Sequence, residues 1–399
     1  MIVGYPSAGS YPYRRNVIGA APGVRYRRVL DPFLLAAVLD RRLNRLTKRP
    51  VFDTNDLQNR FNDFGMWRVD LLHFVNKVSY GRTPWITTFE TVVPRFSVTL
   101  SCHHGSVPDF STLRGNRTVQ KALAAMSQNS CRRIIAMSQC TRRMQESLLA
   151  QFPEFREAVT RKLLVMHPPQ DLLVSRFSEK GVDLEGPVTF MMVGNAFFRK
   201  GGLEVIETLG RLRVAHGYPI RLVIVSSLIT DGYATKEGPQ DVRRVQRCTR
   251  DNADWVEYYP QLPNHEVLEL MKKSHVGLLP SYAETYGYSV LEFEAAGCPV
   301  ITTNVRALGE INDVERGWVI EVPKNRMGEA IYTSREHRLT ISSAIRKGVE
   351  QAVHEVFADR SIVRCKAERA LSYIAKHHSP SEYGRTMRGV YCEAVHCAE

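Results

Sequence analysis

Along the second half of this 399-residue chain, short apolar runs alternate with segments whose apolar residues recur at helical spacing. The short runs predict strands, at residues 188–193, 220–225, 256–259, 276–280 and 299–303. The segments between them predict helices, at residues 202–215, 265–273 and 287–296. Strands that are joined through helices run parallel in one sheet, so this half predicts a Rossmann-like domain.

The first half shows the same alternation less regularly. Strands are predicted at residues 2–5, 69–74, 85–89, 133–138 and 163–166, and a helix at residues 141–149. A further helix is predicted at residues 33–46, with one apolar face formed by Leu34, Leu35, Val38, Leu39 and Leu43. The first half therefore also predicts an α/β domain with a mostly parallel sheet.

The chain is longer than one hydrophobic core usually organises, which favours two domains. The polar, proline-punctuated stretch 168–187 is the best boundary between them. We predict a first domain at residues 1–172, a second domain at 173–378 and a terminal helical segment at 379–399. Pro380 is placed to start that last helix, which runs to about residue 394.

The positive charge is unevenly distributed. Residues 1–172 hold 25 basic and 12 acidic residues, so the whole net charge of +13 belongs to the first half. Clusters of arginine and lysine at 25–28, 41–49, 132–133 and 142–143 make up the excess. Three anionic partners fit: a phospholipid surface, a phosphorylated acceptor or a nucleic acid. A solvated arginine-rich surface is the alternative that needs no partner.

Eight cysteines stand at positions 102, 131, 140, 248, 298, 365, 392 and 397, without a C-x-x-C pair. This spacing favours reduced thiols over a zinc ribbon or a disulfide framework. The first residues lack the pattern of a signal peptide, and no apolar run approaches the ~20 residues of a membrane span. We therefore expect a cytoplasmic protein, with peripheral contact to an anionic membrane surface as an option.

The most informative stretch runs from Leu279 to Val300. A predicted strand ends at Pro280, a loop with Glu284 follows, and a helix starts near Gly287. The helix N-terminus offers backbone N–H groups to a diphosphate. Glu284 and Glu292 can both face a ligand at the strand ends, and carboxylates accept hydrogen bonds from pairs of sugar hydroxyls. The stretch thus fits a sugar nucleotide.

A second stretch, residues 192–202, leaves a strand, turns at Gly194 and enters a helix at Gly202. Arg199 and Lys200 precede that helix. Two cations at this place could neutralise a diphosphate and stabilise it as a leaving group. The alternative is an ordinary basic start of a helix.

These stretches together resemble the donor site of the retaining, family 4-like GT-B glycosyltransferases. In that family a Pro-Ser pair precedes a glutamate, seven residues, a second glutamate and a Gly-x-Pro-Val turn, and each element is found here, with the glutamates at 284 and 292. The resemblance implies that Glu284 contacts the transferred sugar, that Glu292 contacts the ribose, and that Lys200 binds the diphosphate. Asn195 stands where the family usually has arginine.

The resemblance extends over residues 188–325, and more faintly into the first half. It implies two Rossmann-like domains facing across a cleft, a nucleobase near Leu262, and a C-terminal helix that crosses back onto the first domain. Glu90 stands where many relatives have a histidine. Its carboxylate could orient or deprotonate an acceptor hydroxyl, or pair with a nearby arginine.

The resemblance therefore assigns two groups of residues. The catalytic group is Glu284, Lys200 and Glu90. The donor-binding group is Gly194, Asn195, Arg199, Lys200, Leu262, Glu284, Thr285, Tyr286, Gly287, Tyr288 and Glu292. No metal ligands are assigned, because no Asp-x-Asp motif occurs and because the pair His103-His104 has no third ligand near it in sequence.

We expect a retaining, metal-independent transferase without a cofactor, in which a UDP- or GDP-sugar serves as co-substrate. The acceptor is expected to be a saccharide, a glycoside or a lipid-linked sugar, and no specific nucleic acid is expected. One alternative is a related enzyme that hydrolyses or epimerises a sugar nucleotide. Another is a non-catalytic GT-B-like module that binds an anionic partner through its basic half. A dinucleotide-dependent oxidoreductase is disfavoured, because no Gly-x-Gly-x-x-Gly motif follows a predicted strand.

Overall fold

The computed structural model describes residues 1–6, 10–47, 53–230 and 232–396. These residues form two compact units, Met1–Pro169 with His378–Glu399, and Gln170–His377. The predicted domain limits at residues 172 and 378 differ from these boundaries by three residues and one residue. Lys48, Arg49 and Cys397, which the sequence analysis singled out, lie outside the described residues.

The described residues of the first unit form eight strands and, up to Pro169, seven α-helices. The strands are β1 Ile2–Tyr5, β2 Arg25–Arg28, β3 Arg60–Phe61, β4 Leu71–Val75, β5 Val78–Ser79, β6 Trp85–Phe89, β7 Cys131–Ala136 and β8 Leu163–Val165. The helices are α1 Tyr11–Asn16, α2 Pro32–Thr47, α3 Thr54–Gln58, α4 Ser97–Ser101, α5 Arg117–Ser127, α6 Gln139–Leu149 and α7 Pro153–Thr160.

Six of these strands form one parallel sheet in the order β2-β1-β4-β6-β7-β8, and β3 pairs with β5 beside it. The central strands β4 and β6 are buried along their whole length, as strands covered on both faces must be. The edge strand β2 is instead largely exposed and carries three arginines, which disfavour pairing with another chain at that edge.

The apolar face predicted for the second helix does not face the core. Leu35, Leu39 and Leu43 of α2 are exposed, by 51%, 59% and 48%. The buried side of the helix carries Ala37 and Asp40 instead, and Asp40 accepts a hydrogen bond from the Asn44 side chain at 3.0 Å. The spacing of the leucines predicted the helix correctly, but not which side it buries.

The described residues of the second unit form six strands and seven α-helices. The strands are β9 Val188–Val193, β10 Ile220–Val225, β11 Val256–Tyr259, β12 Val276–Leu279, β13 Val300–Thr303 and β14 Trp318–Ile320. The helices are α8 Gly202–His216, α9 Pro239–Asp251, α10 Asn264–Lys272, α11 Tyr288–Ala295, α12 Leu308–Ile311, α13 Arg335–Ala358 and α14 Ser361–His377.

All six strands of the second unit are parallel, in the order β11-β10-β9-β12-β13-β14. Numbered from one within the unit, this order is 3-2-1-4-5-6, the strand order of a Rossmann fold. In such a sheet the chain reverses its direction of winding between the first and fourth strands, here β9 and β12. Ligands bind outside the carboxyl ends of strands at this switch point.

The last helix, α15 Pro380–His396, belongs to the first unit and packs on its sheet. Tyr383, Met387 and Tyr391 of this helix share one buried cluster with residues of β1, β4, β6 and β7. The hydroxyl of Tyr391 lies 2.7 Å from Nδ1 of His73 on β4. Burial lowers the pKa of His73 to about 3, so its ring is neutral at physiological pH. The C-terminal helix thus returns to the first unit, as the resemblance implied.

Candidate donor site

The candidate site lies where β9 and β12 end side by side. Leu278 of β12 is paired with Met192 of β9, so the loops after both strands begin at the same edge of the sheet. The loop after β9 carries Lys200, and the loop after β12 carries Glu284. The topology therefore brings together two residues that are 84 positions apart in sequence.

Two glycines allow the loop after β9 to fold tightly. Gly194 has a φ of +137°, and a Cβ atom there would lie 2.4 Å from Cε of Lys200. Gly201 has a φ of +76°, and a Cβ atom there would lie 2.4 Å from the carbonyl oxygen of Pro280. A side chain at position 194 would displace the lysine, and one at 201 would push the loop off the end of β12.

Backbone contacts join the two loops. The amide of Tyr282 donates a hydrogen bond to the carbonyl of Arg199 at 2.8 Å. The guanidinium of Arg199 donates in return to the carbonyl of Ala283, also at 2.8 Å. Arg199 therefore fixes the loop that carries Glu284, in addition to adding positive charge beside it.

The side chains of Lys200 and Glu284 form an ion pair at the centre of the site. Nζ of Lys200 donates to Oε2 of Glu284 at 2.7 Å, and the two side chains are only 13% and 12% exposed. Burial raises the pKa of Glu284, but the charges of Lys200 and Arg199 outweigh burial, and the net pKa lies below its usual value. Glu284 is consequently an ionised carboxylate at neutral pH.

Helix α11 begins directly after this carboxylate. Gly287 precedes the helix in the left-handed conformation, with a φ of +97°, and Tyr288 is its first residue. The amide of Thr285, one of the predicted phosphate ligands, donates to Oε1 of Glu284 at 3.0 Å in this structure. Glu292 lies one turn into the helix and is 7% exposed.

The remaining predicted donor residues lie in or next to the loops that follow β9, β11 and β12. The carbonyl of Asn195 accepts hydrogen bonds from the Ile229 amide at 3.2 Å and the Ser226 hydroxyl at 3.3 Å, which ties the loop after β9 to the end of β10. The rings of Tyr286 and Tyr288 lie 5.4 Å apart. Leu262 is half-buried in the loop between β11 and α10.

Glu90 belongs to the first unit and follows β6. Its amide donates to Oδ1 of Asn76 at 3.2 Å, and its carbonyl accepts from the hydroxyl of Thr141 at 2.9 Å. Asn76, in the loop after β4, has a left-handed φ of +63°. These two hydrogen bonds to its backbone hold Glu90 at the carboxyl edge of the first sheet.

The sequence analysis missed a buried ion pair after β13. Nη1 of Arg306 lies 2.6 Å from Oε1 of Glu329, and both side chains are almost fully buried. Arg306 has a φ of +48°, which is uncommon for a residue other than glycine and is often found near functional sites. A basic residue three positions after a buried strand was the available signal.

A second missed residue is Glu294, on the buried side of α11. Its carboxyl oxygens accept no hydrogen bond from the described residues, and the nearest charge is Nε of Arg316 at 3.8 Å. The Arg316 guanidinium in turn lies 3.4 Å from the centre of the Tyr373 ring. Burial raises the pKa of Glu294 well above its usual value.

Four further features of the described residues bear on the sequence predictions. They contain no group of three or more His, Cys, Asp and Glu side chains able to hold a metal ion. The rings of His103 and His104 lie 4.0 Å apart. No disulfide joins any of the seven cysteines in the described part of the chain. None of the described helices is long and apolar enough to cross a bilayer.

The second unit is similar in sequence to a known protein family. Residues 175–333 match the family described as Glycosyl transferases group 1. The match includes the loops after β9 and β12, with Lys200 and Glu284, and the loop with Arg306.

One relative is glycogen synthase of Mycobacterium tuberculosis, which is 31% identical over 125 residues. The matched segment covers 31% of this chain and 28% of that enzyme. This chain thus matches little more than a quarter of the length of that curated relative.

Solved structures are similar over the whole chain. Sucrose-phosphate synthase from Thermosynechococcus elongatus has a TM-score of 0.59 at 12% identity, and the superposition covers 100% of both chains. Anabaena Alr3699/HepE in complex with UDP-glucose has a TM-score of 0.53 at 12% identity, over 97% of this chain and 98% of that one. At these identities the likeness shows the fold, which is GT-B with two Rossmann-like domains.

Proposed function

We propose that this protein is a retaining glycosyltransferase that moves a sugar from a nucleoside diphosphate to an acceptor hydroxyl. The observation that carries the proposal is the buried Lys200–Glu284 ion pair at the switch point of a group 1 domain. An ionised carboxylate beside an ammonium group matches the two halves of a sugar nucleotide, because hydroxyls donate to the former and phosphates accept from the latter.

In the proposed complex the donor lies across the ends of β9 and β12. The Glu284 carboxylate accepts hydrogen bonds from the transferred sugar, and Glu292 accepts from the ribose. The base packs near Leu262. Lys200, with Arg199 beside it and the amides at the start of α11, holds the diphosphate.

In the proposed reaction the acceptor oxygen attacks the anomeric carbon on the face that the diphosphate leaves. The bond between the anomeric carbon and the phosphate oxygen breaks, and the acceptor proton passes to that oxygen. Lys200 stabilises the negative charge that develops on the leaving diphosphate. Glu90 orients the acceptor hydroxyl. Lys200 and Arg199 replace a divalent cation at the diphosphate, so we propose that transfer is independent of metal.

For the donor we propose a UDP- or GDP-sugar, and for the acceptor a saccharide, glycoside or lipid-linked sugar. The complex of Anabaena Alr3699/HepE with UDP-glucose supports a uridine nucleotide in this fold. The comparisons do not favour the non-catalytic alternative, since the matched relative is a sugar-transferring enzyme.

The proposed mechanism predicts the configuration of the product. Proton NMR of the first product formed should show the anomeric configuration of the donor, and the rate should be unchanged in excess EDTA. A product of inverted configuration would contradict retention, and loss of activity that Mg²⁺ or Mn²⁺ restores would contradict metal independence.

We also propose a cytoplasmic location with peripheral contact to an anionic membrane. Helix α2 supports this contact, because exposed Leu35 and Leu39 stand beside the exposed arginines Arg41, Arg42 and Arg45. Apolar side chains next to cations on one helix are typical of helices that lie in a membrane interface.

If α2 binds the membrane, L35S/L39S should reduce co-sedimentation with phosphatidylglycerol vesicles several-fold without changing the melting temperature. The matched control is V214S/L339S, which replaces two exposed apolar residues of the second unit. Equal co-sedimentation of the wild type and L35S/L39S would exclude the helix as the contact.

A further inference from the structure

A cavity of about 420 Å³ lies in the first unit. None of the residues that line it belongs to the predicted catalytic or donor-binding groups. Its walls combine cationic and aromatic side chains: Arg60, Arg117, Lys121, Phe33, Phe64 and Tyr80. The volume is within the range of sites for small organic ligands. This combination of side chains restricts the chemistry of what can bind.

The cationic side of the cavity is only partly neutralised. Arg60 lies 3.9 Å from Asp56. Arg117 and Lys121, on the first two turns of α5, form no ion pair with any described carboxylate. Two exposed cations that converge on one concavity favour an anionic group, and phosphate matches both a guanidinium and an ammonium.

On the aromatic side of the cavity, the backbone of Phe64 is in an unfavourable conformation. Phe64 is 62% exposed and has a left-handed φ of +47°, which bulky residues rarely adopt. Its amide donates to Oδ1 of Asn62 at 2.9 Å, which holds the turn. Nζ of Lys121 lies 5.7 Å from the centre of the Tyr80 ring, which is half-buried. Aromatic rings next to cations suit a ligand with a ring of its own beside the phosphate.

The cavity is placed near the carboxyl edge of the first sheet. Phe33 and Arg117 stand at the N-terminal ends of α2 and α5. In a parallel α/β unit the helices run antiparallel to the strands, so their N-terminal ends lie beside the carboxyl ends of the strands. Glu90 follows β6 at that same edge.

We infer that this cavity binds a phosphorylated saccharide, with the phosphate on Arg117 and Lys121 and the sugar ring against Phe64 and Tyr80. The inference rests on the proposed function in one respect, which is that the bound saccharide is the acceptor. It selects the phosphorylated acceptor among the anionic partners that the charge of this half allows. The phosphate is carried either by a soluble sugar phosphate or by a lipid headgroup.

The test is calorimetric titration of the wild type and R117Q/K121Q with glucose 6-phosphate, glucose and inorganic phosphate. The wild type should bind glucose 6-phosphate more tightly than either fragment. R117Q/K121Q should weaken that binding at least about tenfold, because charge-assisted hydrogen bonds to the phosphate are lost. Phe64→Ala should weaken binding of glucose 6-phosphate but leave that of inorganic phosphate unchanged.

The matched control is R156Q/R161Q, which removes two exposed arginines elsewhere in the first unit. An equal loss of affinity in this control would overturn the inference, because the effect would then be one of overall charge. Vesicles that contain phosphatidylinositol distinguish the two sources of the phosphate. Vesicle binding that R117Q/K121Q loses and L35S/L39S keeps, without binding of glucose 6-phosphate, assigns a lipid headgroup. Binding of glucose 6-phosphate assigns a soluble ligand. The inference is overturned if glucose 6-phosphate does not bind and vesicle binding is absent or is kept in R117Q/K121Q.

The donor site provides an independent readout. UDP and GDP binding should be the same in R117Q/K121Q and in the wild type, because the cavity belongs to the first unit and the donor site to the second. A protein that binds the nucleotide, but neither glucose 6-phosphate nor phosphatidylinositol vesicles through Arg117 and Lys121, would refute this inference alone. A protein that binds the sugar phosphate but not a nucleotide would refute the proposed function alone.

Discussion

Replacing Lys200 with methionine should lower the turnover number by about 10²–10³, the usual effect of removing one group that stabilises charge in a transition state. Two causes act together. The leaving diphosphate loses its ammonium partner, and Glu284 loses the charge 2.7 Å away that keeps its pKa below the usual value. Burial then raises the pKa of the carboxyl group, and its hydrogen bonds to the sugar weaken.

Steady-state kinetics with the donor in excess measure this effect. Lys273→Met is the matched control, because Lys273 is an exposed lysine of the same unit at the end of α10. The control should keep the activity of the wild type. A Lys200→Met enzyme that turns over within threefold of the wild type would remove Lys200 from the mechanism.

The second large effect concerns the dependence of stability on pH. Since burial raises the pKa of Glu294, the folded protein holds this proton at pH values where the unfolded chain has lost it. The free energy of unfolding should therefore fall as pH rises above the pKa of the unfolded chain, about 4.3, and continue to fall until the folded pKa is passed. The slope from one such group is at most about 1.4 kcal/mol per pH unit.

Glu294→Met should remove this decline, so that the variant gains stability over the wild type as pH rises. Arg316 keeps a partner in the variant, because Asp313 lies 3.3 Å from it. Denaturant midpoints between pH 5 and pH 8.5 give the difference between the two proteins. Glu336→Met, which replaces an exposed glutamate of α13, should leave the pH profile unchanged. If the profiles of Glu294→Met and the wild type run parallel, Glu294 does not titrate with a raised pKa.

Much of the second unit could be predicted because parallel strands buried on both faces are continuous apolar runs. The bounds of β9, β10 and β11 agree with the prediction to the residue. The family signature also singled out Glu284 and Lys200. Their ion pair is consistent with the topology, since the loops after two neighbouring strands carry these residues.

Other features depend on packing that no local pattern records. The leucines of α2 predict a buried face, but the helix buries Ala37 and Asp40 instead. Glu294 looks like a surface residue in sequence, and only the packing of α11 against α14 shows that it is buried. The pair Arg306–Glu329 joins loops 23 positions apart, a separation that helical or strand spacing does not connect.

The central claim is that the second unit binds a nucleoside diphosphate at the ends of β9 and β12. The most direct measurement is the melting temperature of the wild type and of Glu292→Ala with UDP, GDP, ADP and dTDP. We predict that one base raises the melting temperature of the wild type by roughly 5–10 °C at about 100 times its Kd, and that Glu292→Ala loses this shift. If a cooperatively melting wild type shows no shift with any of the four, the account of the donor site is wrong.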